Sequence, residues 1–166
     1  MRIGIALTGP RELPGWQPAD TTPMDFYDLK GIIASLLNGL HIEEVRYVPA
    51  YDPTFHPGKC ADIWVGDHLL GTFGEVHPLV NAAYKLNDTP LLAATIDMGN
   101  LAASIPERFQ VKEVPEFPPV LEDIAVIVDE DIPASRVEEV IRQAGGRLLA
   151  DVRLFDLYRG TQIGDG

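Results

Sequence analysis

The chain has 166 residues, of which 46% are hydrophobic and 23% charged, and carries a formal net charge of -12. That apolar fraction excludes a disordered polypeptide and supports the core of one domain or a domain and a half. The acidity disfavours nonspecific attraction to nucleic acid or to anionic membranes, because the summed field repels phosphates.

Lys and Arg number 7 against 13 Asp and Glu in residues 1–111, and 6 against 12 in residues 112–166, so neither part is a basic arm. A single cysteine, Cys60, excludes an internal disulfide and a paired-cysteine zinc site, and it suits a reducing cytoplasm. No run approaches the roughly 18 apolar residues of a membrane span, and the apolar stretch over residues 2–8 is too short for a signal peptide. A soluble, cytoplasmic protein is expected.

Ile3, Ile5 and Leu7 alternate and end at Gly9-Pro10, which predicts a strand closing in a turn. A loop with Pro14, Gly15, Trp16, Pro18 and Pro23 follows. Phe26, Leu29, Ile32, Ile33, Leu36 and Leu37 then recur at helical spacing, with Gly39 as the expected stop. Val45, Tyr47 and Pro49 suggest a strand. Residues 61–65 and 69–73, flanking Gly66-Asp67-His68, read as a hairpin. Pro78 suits the first turn of a short helix through Tyr84; residues 91–96 return to strand, and residues 101–105 form a loose turn or helix. Strands outnumber helices and the connections are short, so the class is α+β, an antiparallel sheet with helices on one side.

Residues 106–119 carry Pro106, Pro115, Pro118 and Pro119 with little periodicity, and residues 112–119 are read as a linker between a part at 1–111 and a part at 120–166. Residues 123–129 read as a strand. Ser135 and Glu138 have capping-box spacing, and Val137, Val140, Ile141 and Ala144 line one face of a helix that Gly145-Gly146 ends. Residues 152–159 read as a second strand, with Arg153, Phe155, Leu157 and Arg159 on one side and Val152, Leu154, Asp156 and Tyr158 on the other. A strand, helix, strand unit has too few strands to complete a sheet, so these residues are expected to belong to a larger fold.

His56, Cys60, Glu75 and His77 are the nearest approach to a catalytic or metal-binding set, since Glu75 and His77 share one strand face at period two. Their spacing matches no recurrent metal motif, and His-Pro and Gly-Glu pairs commonly close turns, so no metal ligand and no catalytic residue is assigned. Asp25, Asp28 and Lys30 suggest acid–base work only until their place is noted: Asp25 precedes the helical pattern and suits a cap, and Asp28 favours the same dipole end. No Gly-x-Ser-x-Gly elbow and no glycine-rich phosphate loop occurs.

Two stretches, Phe117-Pro-Pro-Val-Leu-Glu-Asp-Ile-Ala and Arg153-Leu-Phe-Asp-Leu-Tyr-Arg-Gly, resemble the start of the C-terminal anticodon-binding domain of the beta subunit of bacterial phenylalanine-tRNA ligase. Leu7-Thr-Gly-Pro-Arg11, Asp25-Phe-Tyr-Asp-Leu-Lys-Gly31, Phe55-His-Pro-Gly-Lys59 and Gly74-Glu-Val-His-Pro78 resemble, in order, the module that precedes that domain. The resemblance implies that residues 1–111 belong to a degenerate class II synthetase-like core, catalytically silent, and that residues 120–166 are the first half, βαβ only, of a ferredoxin-like domain. It also implies an alpha subunit as partner in an alpha2beta2 assembly, tRNA(Phe) as the bound nucleic acid, and ATP and Mg2+ used by the holoenzyme with no cofactor in this part. Arg153, Tyr158 and Arg159 are the RNA contacts the resemblance suggests, by stacking and phosphate-directed charge. The family has arginines just before the Asp-Ile-Ala strand where this chain has Leu121-Glu122, and a carboxylate there repels phosphate.

Two other classes compete. One is a protein-binding scaffold unrelated to translation; the other is a small metal-dependent hydrolase using His56, Glu75 and His77.

Overall fold

The computed structural model describes residues 1–86, 89–108, 111 and 116–158. Two compact units, Met1–Val111 and Lys112–Gly166, divide the chain, and each is described by itself.

The first unit is an antiparallel sheet backed by helices, in the order β1 (Arg2–Thr8), α1 (Phe26–Gly39), β2 (Val45–Pro49), β3 (Phe55–Val65), β4 (His68–Val76), α2 (Pro78–Ala83), β5 (Leu91–Asp97) and α3 (Met98–Ser104). The five strands lie in the order β1-β5-β4-β3-β2. Strand alternation decides which residues meet. Ile3, Ile5 and Leu7 stand opposite Ile96, Ala94 and Leu92, and Phe73 stands between Ala94 and Ala61, so one face is apolar across the sheet.

That face is closed by α1, whose Leu29, Ile33 and Leu37 recur every four residues and are fully buried against it. Phe73 is the centre of the contact. Its ring stacks on Phe26 with centroids 4.8 Å apart and meets Tyr47 edge-on at 5.8 Å. On the opposite face a smaller cluster of Phe55, Cys60 and Val76 packs with Val80 of α2, Leu91 and Ala93.

Two details depart from simple alternation. Ile63 pairs with Gly71 but Trp64 with Leu69, so Leu70 is an extra residue; this bulge turns Leu70 into the core and leaves Leu69 partly exposed. Gly74 lies at a close approach of two strands: a Cβ there would overlap the Lys59 carbonyl oxygen and come within 3.1 Å of Phe55 Cδ1. The hairpin turn is shorter than expected, only Gly66-Asp67, because both strands run further than their alternating apolar residues indicate. The stop of α1 is also corrected. Gly39 remains helical, and His41 takes the left-handed conformation at φ 57, with Ile42 N–H bonded to the Leu37 carbonyl.

In the second unit α4 (Ala134–Gly145) forms and is followed by a 3-10 turn at Gly146–Leu148. Its cap is not the Ser135–Glu138 box. The helix begins one residue earlier, with Pro133 at the cap position and no side-chain cap bond, so Ser135 already lies inside the first turn.

The strands expected at 123–129 and 152–159 are not formed as paired strands. Residues 120–129 and 152–158 carry no ladder, and Arg159 lies outside the described residues. In a ferredoxin-like sheet the first two strands are not neighbours; a third strand joins them, and no described residue supplies it. Ile124, Ile127, Phe155 and Leu157 are accordingly exposed. Of the linker read at 112–119, residues 112–115 lie outside the described residues, and 116–119 have neither helix nor strand.

Two outcomes are expected. Phe73→Ala costs about 3–5 kcal/mol in urea unfolding of the first unit, by loss of a fully buried ring between two aromatic neighbours. Gly74→Ala also destabilises, since its new methyl has no space. Amide hydrogen exchange is slow in β3, β4 and β5 and fast over residues 117–130 and 152–158, whose backbone groups lack a ladder; equal protection in both regions would contradict the description.

Candidate functional site

The four residues nearest to a metal set are dispersed by the fold. Phe55 pairs with Val76, and His56 and His77, a diagonal pair with His77 just past the end of β4, stack with ring centroids 6.3 Å apart. Each ring already has a structural bond. His56 Nδ1–H donates to the Pro57 carbonyl at 2.7 Å, while His77 Nδ1 accepts from Leu79 N–H at 3.1 Å and so caps α2. Glu75 is taken by Lys59 Nζ at 2.6 Å. Cys60 is buried in the small cluster on the other face, where burial, and then Asp52 and Asp62, push its thiol up. Among the described residues no group of three or more His, Cys, Asp or Glu is placed to hold a metal ion, and the hydrolase reading loses its site.

Asp25, Asp28 and Lys30 likewise have structural partners. Asp25 caps α1, accepting from Tyr27 N–H at 2.8 Å and Asp28 N–H at 3.3 Å, and Asp28 returns a bond to Asp25 N–H at 2.7 Å. This is a capping box with aspartate in the third position. Lys30 Nζ lies 4.9 Å from the Tyr47 ring centre, a cation–π contact.

The residue that organises this end of the sheet is Arg11, which the local pattern does not single out. Its Nε lies 3.0 Å from both Asp28 oxygens, Nη2 lies 3.0 Å from Asp25 Oδ2, and Nη1 bonds Thr22 Oγ1 at 3.2 Å and lies 3.6 Å from Asp20 Oδ2. Backbone bonds from Arg11 N–H to Thr22 O, Glu12 N–H to Asp20 O and Met24 N–H to Gly9 O close the loop over residues 9–25 into a finger based on the first turn of α1. The available signal was compositional: one cation in a stretch with four carboxylates, Glu12, Asp20, Asp25 and Asp28. The hydrogen bond with Asp28, then the charges of Asp28, Asp25 and Asp20, hold the guanidinium above its ordinary value. Asp28 is held below the usual carboxylate range by Arg11 first and the Asp25 N–H second.

The RNA contacts suggested for the second unit are only partly placed. Arg153 and Tyr158 lie in the unpaired segment after α4, with Tyr158 60% exposed. Arg159 lies outside the described residues. Nearby, Arg142 is engaged by Asp151 at 3.3 Å and by the Val152 carbonyl, which ties this segment back to α4.

The first unit is thus a helix-backed antiparallel sheet in which the polar constellations described above are occupied by caps, turns and ion pairs. The family is read from the comparison. Residues 1–98 match the model described as phenylalanyl tRNA synthetase beta chain CLM domain, and residues 115–166 match the ferredoxin-fold anticodon binding domain. The chain belongs to the phenylalanyl-tRNA synthetase beta chain family.

The phenylalanine-tRNA ligase beta subunit of Symbiobacterium thermophilum is 38% identical over 166 residues, covering 100% of this chain and 18% of the relative. That of Clostridium acetobutylicum is 40% identical over 144 residues, covering 86% and 18%, and that of Bacillus subtilis 31% identical over 166 residues, covering 99% and 20%. The chain thus spans about a fifth of the length of the curated relatives it matches. Membership in this family displaces the scaffold unrelated to translation.

Asp28 binds its proton less readily folded than unfolded, so the stability it contributes is complete above about pH 4 and is lost as the pH falls through its folded value. Arg11→Met is expected to lower the melting temperature at pH 7 and to flatten the decline below about pH 4, both read by scanning calorimetry across pH.

Proposed function

We propose that this chain is part of the beta subunit of phenylalanine-tRNA ligase and acts without catalysing a step itself. Residues 1–111 serve as part of a silent synthetase-like core that associates with the alpha subunit in an alpha2beta2 assembly. Residues 112–119 act as a linker, and residues 120–166 contribute to binding the anticodon region of tRNA(Phe). The observation that carries this reading is the order of the two family matches along one chain, 1–98 and then 115–166, with 31–40% identity to named beta subunits.

A silent core acts by geometry. It holds the tRNA-binding domain at a set distance from a reaction centre on another chain, where small misplacement of the substrate erodes the rate. ATP and Mg2+ belong to the holoenzyme on this reading. Among the described residues no group of three or more His, Cys, Asp or Glu is placed to hold a metal ion, and the sequence has no phosphate loop, so the residues present do not fit them and no step is derived through them. The assembly is assigned to the cytoplasm; among the described residues no helix is long and apolar enough to cross a membrane.

On the RNA side, Tyr158 supplies a ring for base stacking and Arg153 and Arg159 supply phosphate-directed charge. Glu122 and the overall charge of -12 oppose phosphate, so these few cations and the ring carry the contact against an acidic background.

The test is a pull-down of the purified chain with alpha subunit, together with tRNA(Phe) binding by this chain and by one extended through the rest of the anticodon-binding domain. Capture by alpha subunit is expected with both, and tRNA binding chiefly with the extended chain. In that chain, Tyr158→Ala is expected to cost about 1–3 kcal/mol of tRNA affinity, and Arg153→Ala to reduce the slope of log affinity against log salt by about 0.7. Failure of the extended chain to bind either partner would overturn the assignment.

A further inference from the structure

Two of the four histidines, His56 and His77, stack at 6.3 Å, and their backbone partners fix the ring protons in opposite senses. The Pro57 carbonyl can only accept, so His56 Nδ1 carries a proton. Leu79 N–H can only donate, so His77 Nδ1 is a bare lone pair and the proton of the neutral ring sits on Nε2. The difference matters when a second proton arrives. His56 takes it on Nε2 and keeps its bond, whereas His77 takes it on Nδ1 and loses the acceptor that caps α2.

α2 has little else to hold it. It is six residues long with no buried residue, and so short a helix is marginal without its caps and contacts. A charged His77 stands at the positive end of that helix and against the His56 ring, and both placements are unfavourable. The charged groups on the described elements packed against it offer no relief. Glu75 of β4 is paired with Lys59 of β3 at 2.6 Å, Asp52 Oδ1 in the loop before β3 accepts from Thr54 N–H at 2.8 Å, and Lys85, which follows α2, is a further cation. Beneath α2 lies the small cluster: Val80 packs on Phe55, Cys60 and Val76, and Cys60 is only 6% exposed.

We propose that His77 is a proton-sensitive latch on α2. The neutral ring holds the helix over the Cys60 cluster, and protonation at Nδ1 releases it and opens the thiol to solvent. The sign follows from the cap: the neutral ring is the acceptor, so the latch is closed on the alkaline side. It opens as the pH falls through the range, between about 8 and 5, in which histidine takes up a proton. The latch uses only residues of the first unit and stands independently of the beta-subunit reading.

Cys60 is the one thiol of the chain, so its rate of reaction with 4,4′-dithiodipyridine reports on the latch. Dividing that rate by the rate for urea-unfolded chain at the same pH removes the change in thiolate fraction. The quotient is expected to rise about fivefold from pH 7.5 to pH 5.5, the factor that loss of one cap carries. His77→Asn supplies a cap that does not titrate and is expected to hold the quotient constant, while His68→Gln, at the exposed start of β4, keeps the full rise. The imidazole nitrogen resonances of the parent chain test the same point without a variant: His77 Nδ1 is expected to be unprotonated at pH 7.5, and the Leu79 amide resonance to move in step with its protonation. A quotient that does not change with pH, or one that rises as far in His77→Asn as in the parent, overturns the latch. So does a Leu79 amide that stays in place while His77 titrates.

Discussion

A sheet with one strongly apolar face has to be covered, and most features of the first unit follow from how this chain covers it. Phe73 stands at the middle of that face, on a strand whose neighbours place Ala94 and Ala61 beside it. Small residues on either side leave room for a ring, and Phe26 and Tyr47 complete the packing from α1 and β2. The helix that carries Phe26 also buries Leu29, Ile33 and Leu37. Coverage of the sheet therefore depends on where α1 begins and on which of its faces points inward.

The start of α1 is an electrostatic matter. Asp25 and Asp28 satisfy the free N–H groups of the first turn, and both carboxylates then meet Arg11 from the loop that leads into the helix. Two carboxylates near one helix end would otherwise repel each other, and a single guanidinium with several donors in a fixed plane relieves that repulsion while closing the loop. The result is a long connection with a hydrogen-bonded base and an exposed tip. Elsewhere in the unit the polar side chains that suggest chemistry are engaged in structure: His77 caps α2, His56 closes a turn and Glu75 pairs with Lys59.

The second unit obeys the same rule from the opposite side. α4 forms because its sequence is helical and amphipathic, but its apolar face has no paired sheet to lie on, and among its described residues none is fully buried. Strand conformation needs a hydrogen-bonded neighbour as well as suitable side chains. Residues 123–129 have the side chains of a strand and lack the neighbour, so the local pattern and the realised structure part company there.

Sequence by itself determined the elements whose stability is local or whose periodicity is strong: the strand at Ile3, Ile5 and Leu7, the helix from Phe26, the existence of a hairpin around Gly66, the helix at Pro78 and α4. It also carried the family, because motifs such as Gly74-Glu-Val-His-Pro78 are written in consecutive residues. Only the tertiary structure decided the strand order β1-β5-β4-β3-β2, the bulge that turns Leu70 inward, the replacement of Gly39 by His41 at the end of α1 and the grip of Arg11 on Asp20, Asp25 and Asp28. The physical reason is range. Side-chain periodicity and capping act within a few residues and are visible as pattern, whereas register, close backbone approach and ion clusters depend on which distant segments become neighbours, and that is settled only when the apolar face is closed.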